Sequence, residues 1–121
     1  MIKITIKTLQ KITWLFFMIL FINCSQNFEP IIKSITAVPN PAQPNEKVIL
    51  KCIAIDDDEE NVLKNESLDY NWFASYGQLS INTTDSTSWI APNESGEYSI
   101  TCSVSDQYNG LDILSINITV E

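Results

Sequence analysis

Neither histidine nor arginine occurs anywhere in the chain, and cysteine and glycine appear only three times each. Histidine is the commonest side-chain base near neutral pH and the commonest ligand for transition metals, so both roles lose their usual bearer. Without arginine, and with seven lysines against fifteen acids for a formal charge of −8, little is left to neutralise phosphate. Nucleic acid is excluded as a partner on that ground. No serine stands in a nucleophile elbow or beside a lysine in a recognisable motif, and the sequence is read as non-enzymatic. Low-complexity tracts are missing too. An apolar share of 45% over 121 residues fits one small domain behind at most a targeting segment.

What is present begins with Lys3, Lys7 and Lys11, which flank Ile12 to Ile22, an apolar core of eleven residues (22 − 12 + 1). As a helix this core would span ~16 Å, roughly half of a ~30 Å hydrocarbon layer, which suits the h-region of a secretory signal better than a membrane span. Behind it stands "Leu20-Phe21-Ile22-Asn23-Cys24", which resembles the lipobox of bacterial lipoproteins, with Asn23 where a small residue is commonest and Phe21 where leucine is commonest. The resemblance implies acylation of the Cys24 sulfur, cleavage before it and a lipidated new N-terminus. The residues alone also allow an uncleaved signal anchor. The expected organisation is a signal peptide over 1–23, a short tether over 24–30 and a domain over 31–121. A tether of about seven residues reaches ~25 Å at most, which keeps the domain near a cell-envelope membrane, on its periplasmic or surface face. From Cys24 onward four lysines face fifteen acids, a balance of −11 (4 − 15).

Beyond Ile31, short apolar runs alternate with turn signals, and no helical period of useful length occurs. "KVILKCIAI" sets Val48, Leu50, Cys52 and Ala54 on one face, yet Ile49, Ile53 and Ile55 make the other face apolar as well. "SLDYNWF" groups Leu68, Tyr70 and Trp72, and "GEYSITCSVSD" groups Tyr98, Ile100, Cys102 and Val104. "LDILSINITVE" sets Leu114, Ile116, Ile118 and Val120 against Ser115, Asn117 and Thr119. Shorter strands are expected at Gln78 to Asn82 and Ser86 to Ile90, and the opening strand should break at Pro39, Pro41 and Pro44, which cannot donate to a ladder. Seven antiparallel strands predict an all-β, two-sheet sandwich. Cys52 and Cys102 fall in inward rows, and export would bring them to an oxidising compartment, so a disulfide between them is expected. Two buried free thiols are the alternative. Trp72 should pack on the pair, and Cys24 is then the odd cysteine.

The runs "Cys52-Ile53-Ala54-Ile55-Asp56-Asp57-Asp58", "Leu68-Asp69-Tyr70-Asn71-Trp72", "Trp89-Ile90-Ala91-Pro92", "Gly96-Glu97-Tyr98" and "Val104-Ser105-Asp106" resemble, in order and spacing, immunoglobulin-like and PKD-like domains of bacterial surface proteins. That resemblance implies a Greek-key sandwich of seven strands serving as a spacer or binding module. One departure is that Tyr98 lies four residues before Cys102 (102 − 98), whereas the tyrosine corner of antibody-type domains stands two before, where Ile100 sits here.

Two groups could carry binding. Five consecutive acids, Asp56 to Glu60, repel one another and need full solvation or a cation. Asp56, Asp58 and Glu60, with Asp106 from a neighbouring strand, could supply oxygens to calcium, although the spacing is not that of an EF-hand. The other group is aromatic: Phe73 and Tyr76 around the turn after the Trp72 strand, and Tyr108 in a hairpin connection. Such rings offer contact area at low entropic cost. Trp89 is read as core or sheet edge. The sequence thus predicts a non-catalytic envelope lipoprotein that binds protein or glycan through loops, or, in a second reading, an accessory subunit docked on a larger envelope assembly.

Overall fold

The computed structural model describes residues 28–56 and 67–121. The signal segment, Cys24, Asp58 and Glu60 lie outside the described residues. Seven strands are formed: β1 (Ile31–Val38), β2 (Lys47–Ile55), β3 (Asp69–Ala74), β4 (Gln78–Leu79), β5 (Ser86–Ile90), β6 (Gly96–Ser105) and β7 (Leu111–Val120). Sheet A has the order β1-β2-β5-β4 and sheet B the order β3-β6-β7, and every pairing between these strands is antiparallel. This is the strand arrangement of a seven-stranded immunoglobulin-type sandwich.

Period-two patterning explains which side of each strand is buried. Along β2, Val48, Leu50 and Cys52 point inward and are buried, while Lys47, Ile49, Lys51, Ile53 and Ile55 between them are exposed. β6 alternates the same way, with Ile100, Cys102 and Val104 buried. Trp72 of β3, Trp89 of β5 and Ile118 and Val120 of β7 belong to the same core, with Ile32, Ala42 and Ala91. Leu114, expected in the inward row of β7, is 38% exposed. It lies on the edge strand of sheet B and has a neighbour of its own sheet on one side only.

β1 ends where expected, at Val38, because Pro39 and Pro41 cannot continue a ladder. The connection that follows docks on β7: the Ala42 N–H donates to the Thr119 carbonyl at 2.8 Å, and the Glu121 N–H donates to the Ala42 carbonyl at 2.9 Å. β4 is shorter than the sequence suggests, stopping at Leu79 rather than Asn82. Residues beyond it turn away to serve both sheets. The Trp72 N–H donates to the Asn82 carbonyl at 2.9 Å, and the Cys52 N–H to the Asp85 carbonyl at 2.8 Å. The indole of Trp72 donates to the Thr84 carbonyl at 2.7 Å, so a buried polar atom is satisfied by the same crossing segment.

Two tight spots shape the other side. Gly77 has a φ of +76°, and a Cβ there would collide with the Ile90 carbonyl and the Trp89 indole nitrogen. Only glycine accommodates both the backbone and the ring. The Trp89 indole donates to the Tyr76 carbonyl at 2.8 Å, fixing the turn against the core. Tyr98 restores the corner that Ile100 leaves out: its hydroxyl donates to the Glu94 carbonyl at 2.7 Å, four residues upstream (98 − 94). Ile100 fills core volume instead.

Candidate binding surfaces

The strand directions bring Glu29, Asp56, Asp69, Asp106 and Asp112, five of the ten acids among the described residues, to one end of the sandwich. β1 begins there, β2 ends there, and β6 turns into β7 there, because Ile31 pairs with Ile55 and Ser105 pairs with Leu111. Asp56 and Asp106, two of the four residues expected to hold calcium, both lie at this end and are buried. Asp106 shapes the hairpin loop. Its Oδ1 accepts the Tyr108 N–H at 2.8 Å and the Gly110 N–H at 2.7 Å, while its own N–H donates to the Gly110 carbonyl at 3.1 Å. A Cβ on Gly110 would meet the Asp106 carboxylate and the ring of Pro30, so hairpin and incoming chain are packed closely. Asp112 ties the same end together across the two sheets: its Oδ2 accepts the Ile32 N–H at 2.7 Å. Among the described residues no three acids or cysteines gather into a cation-holding group.

The two inward cysteines meet between the sheets, one on β2 and one on β6, but the expected disulfide is not formed. Both are buried free thiols, each close enough to the other to influence its ionisation. Burial in the core disfavours the thiolate, which pushes Cys102 up to about 12 and raises Cys52 as well. A thiol held protonated in this way is a poor nucleophile, so the bond does not follow from proximity alone. Trp72 stands opposite Cys102 in the register of β3 and β6 and is buried in the same core.

The three aromatic candidates are all exposed but do not form one patch. Phe73 projects from β3 beside an open depression of about 390 Å³ shared with Trp72, Ala74, Leu79, Ser80 and Asn82. Tyr76 follows in the next turn and stacks edge-on against Tyr98, with ring centroids 5.8 Å apart. Tyr108 sits at the acidic end, on the β6–β7 hairpin. Trp89 belongs to the core, fully buried and tilted against Tyr98 at 6.0 Å.

A fourth surface was signalled by the doubly apolar pattern of "KVILKCIAI" but not singled out as a site. On the outside of sheet A, Val38 stands beside Ile49 and Ile31 beside Ile55, all exposed, with Ile53 between them. The placement of the lysines needed the strand order, which no local pattern in the sequence reveals.

No protein-family model matches the chain, and no curated protein matches it. Among solved structures it is similar to the PKD1 domain of Vibrio anguillarum Epp, with a TM-score of 0.58 and 20% identity over 79% of this chain and 98% of that one. The fold is PKD-like. This PKD-like sandwich also resembles part of a nucleoside hydrolase-related hypothetical protein from Saccharophagus degradans that is associated with carbohydrate metabolism. There the TM-score is 0.64 at 17% identity, and the match covers 80% of this chain but only 26% of that one. A lipoprotein from Bacteroides thetaiotaomicron is a looser neighbour, with a TM-score of 0.46, 13% identity, and 83% and 86% of the two chains covered. At these identities the likeness establishes the PKD-like fold and nothing about what the domain engages.

Proposed function

We propose that the chain is a non-catalytic lipoprotein of the bacterial cell envelope, anchored by a lipid on Cys24 and presenting a PKD-like domain that binds protein or glycan. One observation carries the reading: Cys52 and Cys102 meet inside the sandwich, which leaves Cys24, four residues before the described domain begins at Phe28 (28 − 24), outside the core's account of cysteine. Two or three acyl chains on that residue would hold the protein firmly, since each buried methylene contributes ~0.8 kcal/mol. Phe73 and Tyr76 are the groups this reading assigns to binding on one side of the domain, and Tyr108 on the other. Intact-mass spectrometry of protein from its native host tests the anchor. The expected mass corresponds to a chain starting at Cys24 with acyl groups attached, and a mass lacking them contradicts the reading. Pull-down from envelope extract with wild type and with Phe73→Ala/Tyr76→Ala tests the binding face, with loss of a captured component expected in the variant.

A further inference from the structure

Charge on the described domain is divided by place. Its ten acids are spread over both ends and the loops, whereas its three lysines, Lys33, Lys47 and Lys51, all belong to β1 and β2. Lys47 and Lys51 alternate with Ile49, Ile53 and Ile55 along the outward row of β2. Lys33 sits at the β1 bulge, where the register shifts between Ile32 and Ser34. The result is a sheet surface on which exposed Ile31, Val38, Ile49, Ile53 and Ile55 stand among lysines, beside Ser34 and Thr36, on a domain that is acidic elsewhere. Exposed isoleucines in register are unusual on a sheet facing only water.

We propose that the outward face of the β1–β2 hairpin lies flat on an anionic phospholipid surface, its lysines at the headgroups and its isoleucines against the interface. The proposal rests on the lipid-anchor reading for its tether, and two features select this occupant. First, the chain enters the domain at the start of β1, so a lipid on Cys24 is separated from Ile31 by seven residues (31 − 24), at most ~25 Å of extended chain. The domain cannot move far from the bilayer. Second, an upright orientation would press Glu29, Asp56, Asp69, Asp106 and Asp112, which share that end, against the lipid charge. Laying the domain on sheet A turns those acids aside and brings the lysines down. A second copy fits the face poorly, because the outward rows of β1 and β2 hold lysines and no acid, so a two-fold contact would bring cations together with no carboxylate on either copy to meet them.

Amine-acylation footprinting of the full acylated protein tests this, in vesicles of phosphatidylcholine alone, in vesicles containing phosphatidylglycerol, and in neutral detergent. Lys33, Lys47 and Lys51 are expected to react several-fold more slowly in the phosphatidylglycerol vesicles than in the other two. The outward-facing variant Ile53→Ser, and separately Lys51→Glu, should each restore the reactivity of Lys33 there. Equal reactivity in all three media, on protein whose mass shows the acyl groups, overturns the docking and leaves the anchor standing. Protection that persists in detergent means that another protein or a second copy covers the face, and also overturns it. If the acyl mass is missing, the anchor reading falls and sedimentation with the same phosphatidylglycerol vesicles decides the face: binding supports it and no binding overturns it.

Discussion

The two outward faces of the sandwich are made of different side chains on the same backbone plan. On sheet B the outward row of β6 is Glu97, Ser99, Thr101, Ser103 and Ser105, opposite Thr119, Asn117, Ser115, Ile113 and Leu111 of β7. Hydroxyls dominate it, and Thr101 and Ser115 hydrogen-bond across the strands at 2.7 Å. On sheet A the outward row of β2 is Lys47, Ile49, Lys51, Ile53 and Ile55, opposite Val38, Thr36, Ser34 and Ile31 of β1, so isoleucine and lysine predominate on β2. The inward rows of the two sheets, by contrast, are equally apolar, and that is what holds them together. The difference teaches that burial requirements fix one side of each strand and leave the other free to record what the surface meets. A serine-threonine face is suited to water; an isoleucine-lysine face is suited to an interface that is apolar and negatively charged.

The largest effect should separate the two sides of β2. Leu50→Ala is expected to cost about 2–5 kcal/mol in urea unfolding, because it empties a fully buried site. Ile53→Ser, three residues on, should change stability by no more than about 0.5 kcal/mol. A cost for Ile53→Ser near that of Leu50→Ala would mean that sheet A is covered within the domain itself, and the contrast between faces would collapse.

Next in size is the alkaline response of the space between the sheets. Unfolded thiols release their protons near ~8.5, whereas the folded Cys102 holds its proton up to about 12 and Cys52 is raised too. Stability from this source is complete below the unfolded value. Above it the unfolded state binds fewer protons than the folded one, so stability falls as pH rises toward the folded value. Reduced wild type should therefore lose urea resistance between neutral and strongly alkaline pH faster than Cys52→Ala/Cys102→Ala. Parallel pH profiles would show that the pair is not two buried thiols.

Smaller effects belong to sheet B and to the acidic end. Replacing Thr101 by alanine removes one hydroxyl pair from an exposed face and should cost about 0.5 kcal/mol, without changing vesicle binding. Calcium at millimolar concentration is expected to leave the melting temperature within about 1 °C, since Asp106 already accepts two backbone N–H groups. A rise of several degrees would instead give the acidic segment a cation to hold.

Much of this architecture is written locally. Alternation in β6 and β7, the apolar run of β2 and the proline stop after Val38 place the strands within a residue or two, because side-chain direction in a strand follows sequence parity. β4 is where local reading overran, since the residues after Leu79 take their partners from both sheets and nothing in "Ser80-Ile81-Asn82" announces that. The Tyr98 corner was hidden for a related reason: its hydroxyl reaches the upstream backbone from a shifted position, so the spacing rule missed a contact that the ring still makes. The aromatic candidates were legible as exposed residues but not as belonging to opposite parts of the domain. The lysine face depended most on the fold, because Lys33 of β1 and Lys51 of β2, far apart in sequence, come onto one hairpin only once β1 pairs with β2.

Spin-label accessibility compares the two faces in a single sample type. With nitroxides attached at Ile53→Cys on sheet A and at Asn117→Cys on sheet B, the acylated protein is placed in phosphatidylglycerol-containing vesicles, and collision with oxygen is measured against collision with a water-soluble nickel chelate. The label at position 53 should be shielded from the chelate and open to oxygen, while the label at 117 should meet the chelate freely. Equal access to the chelate at both positions would contradict the account.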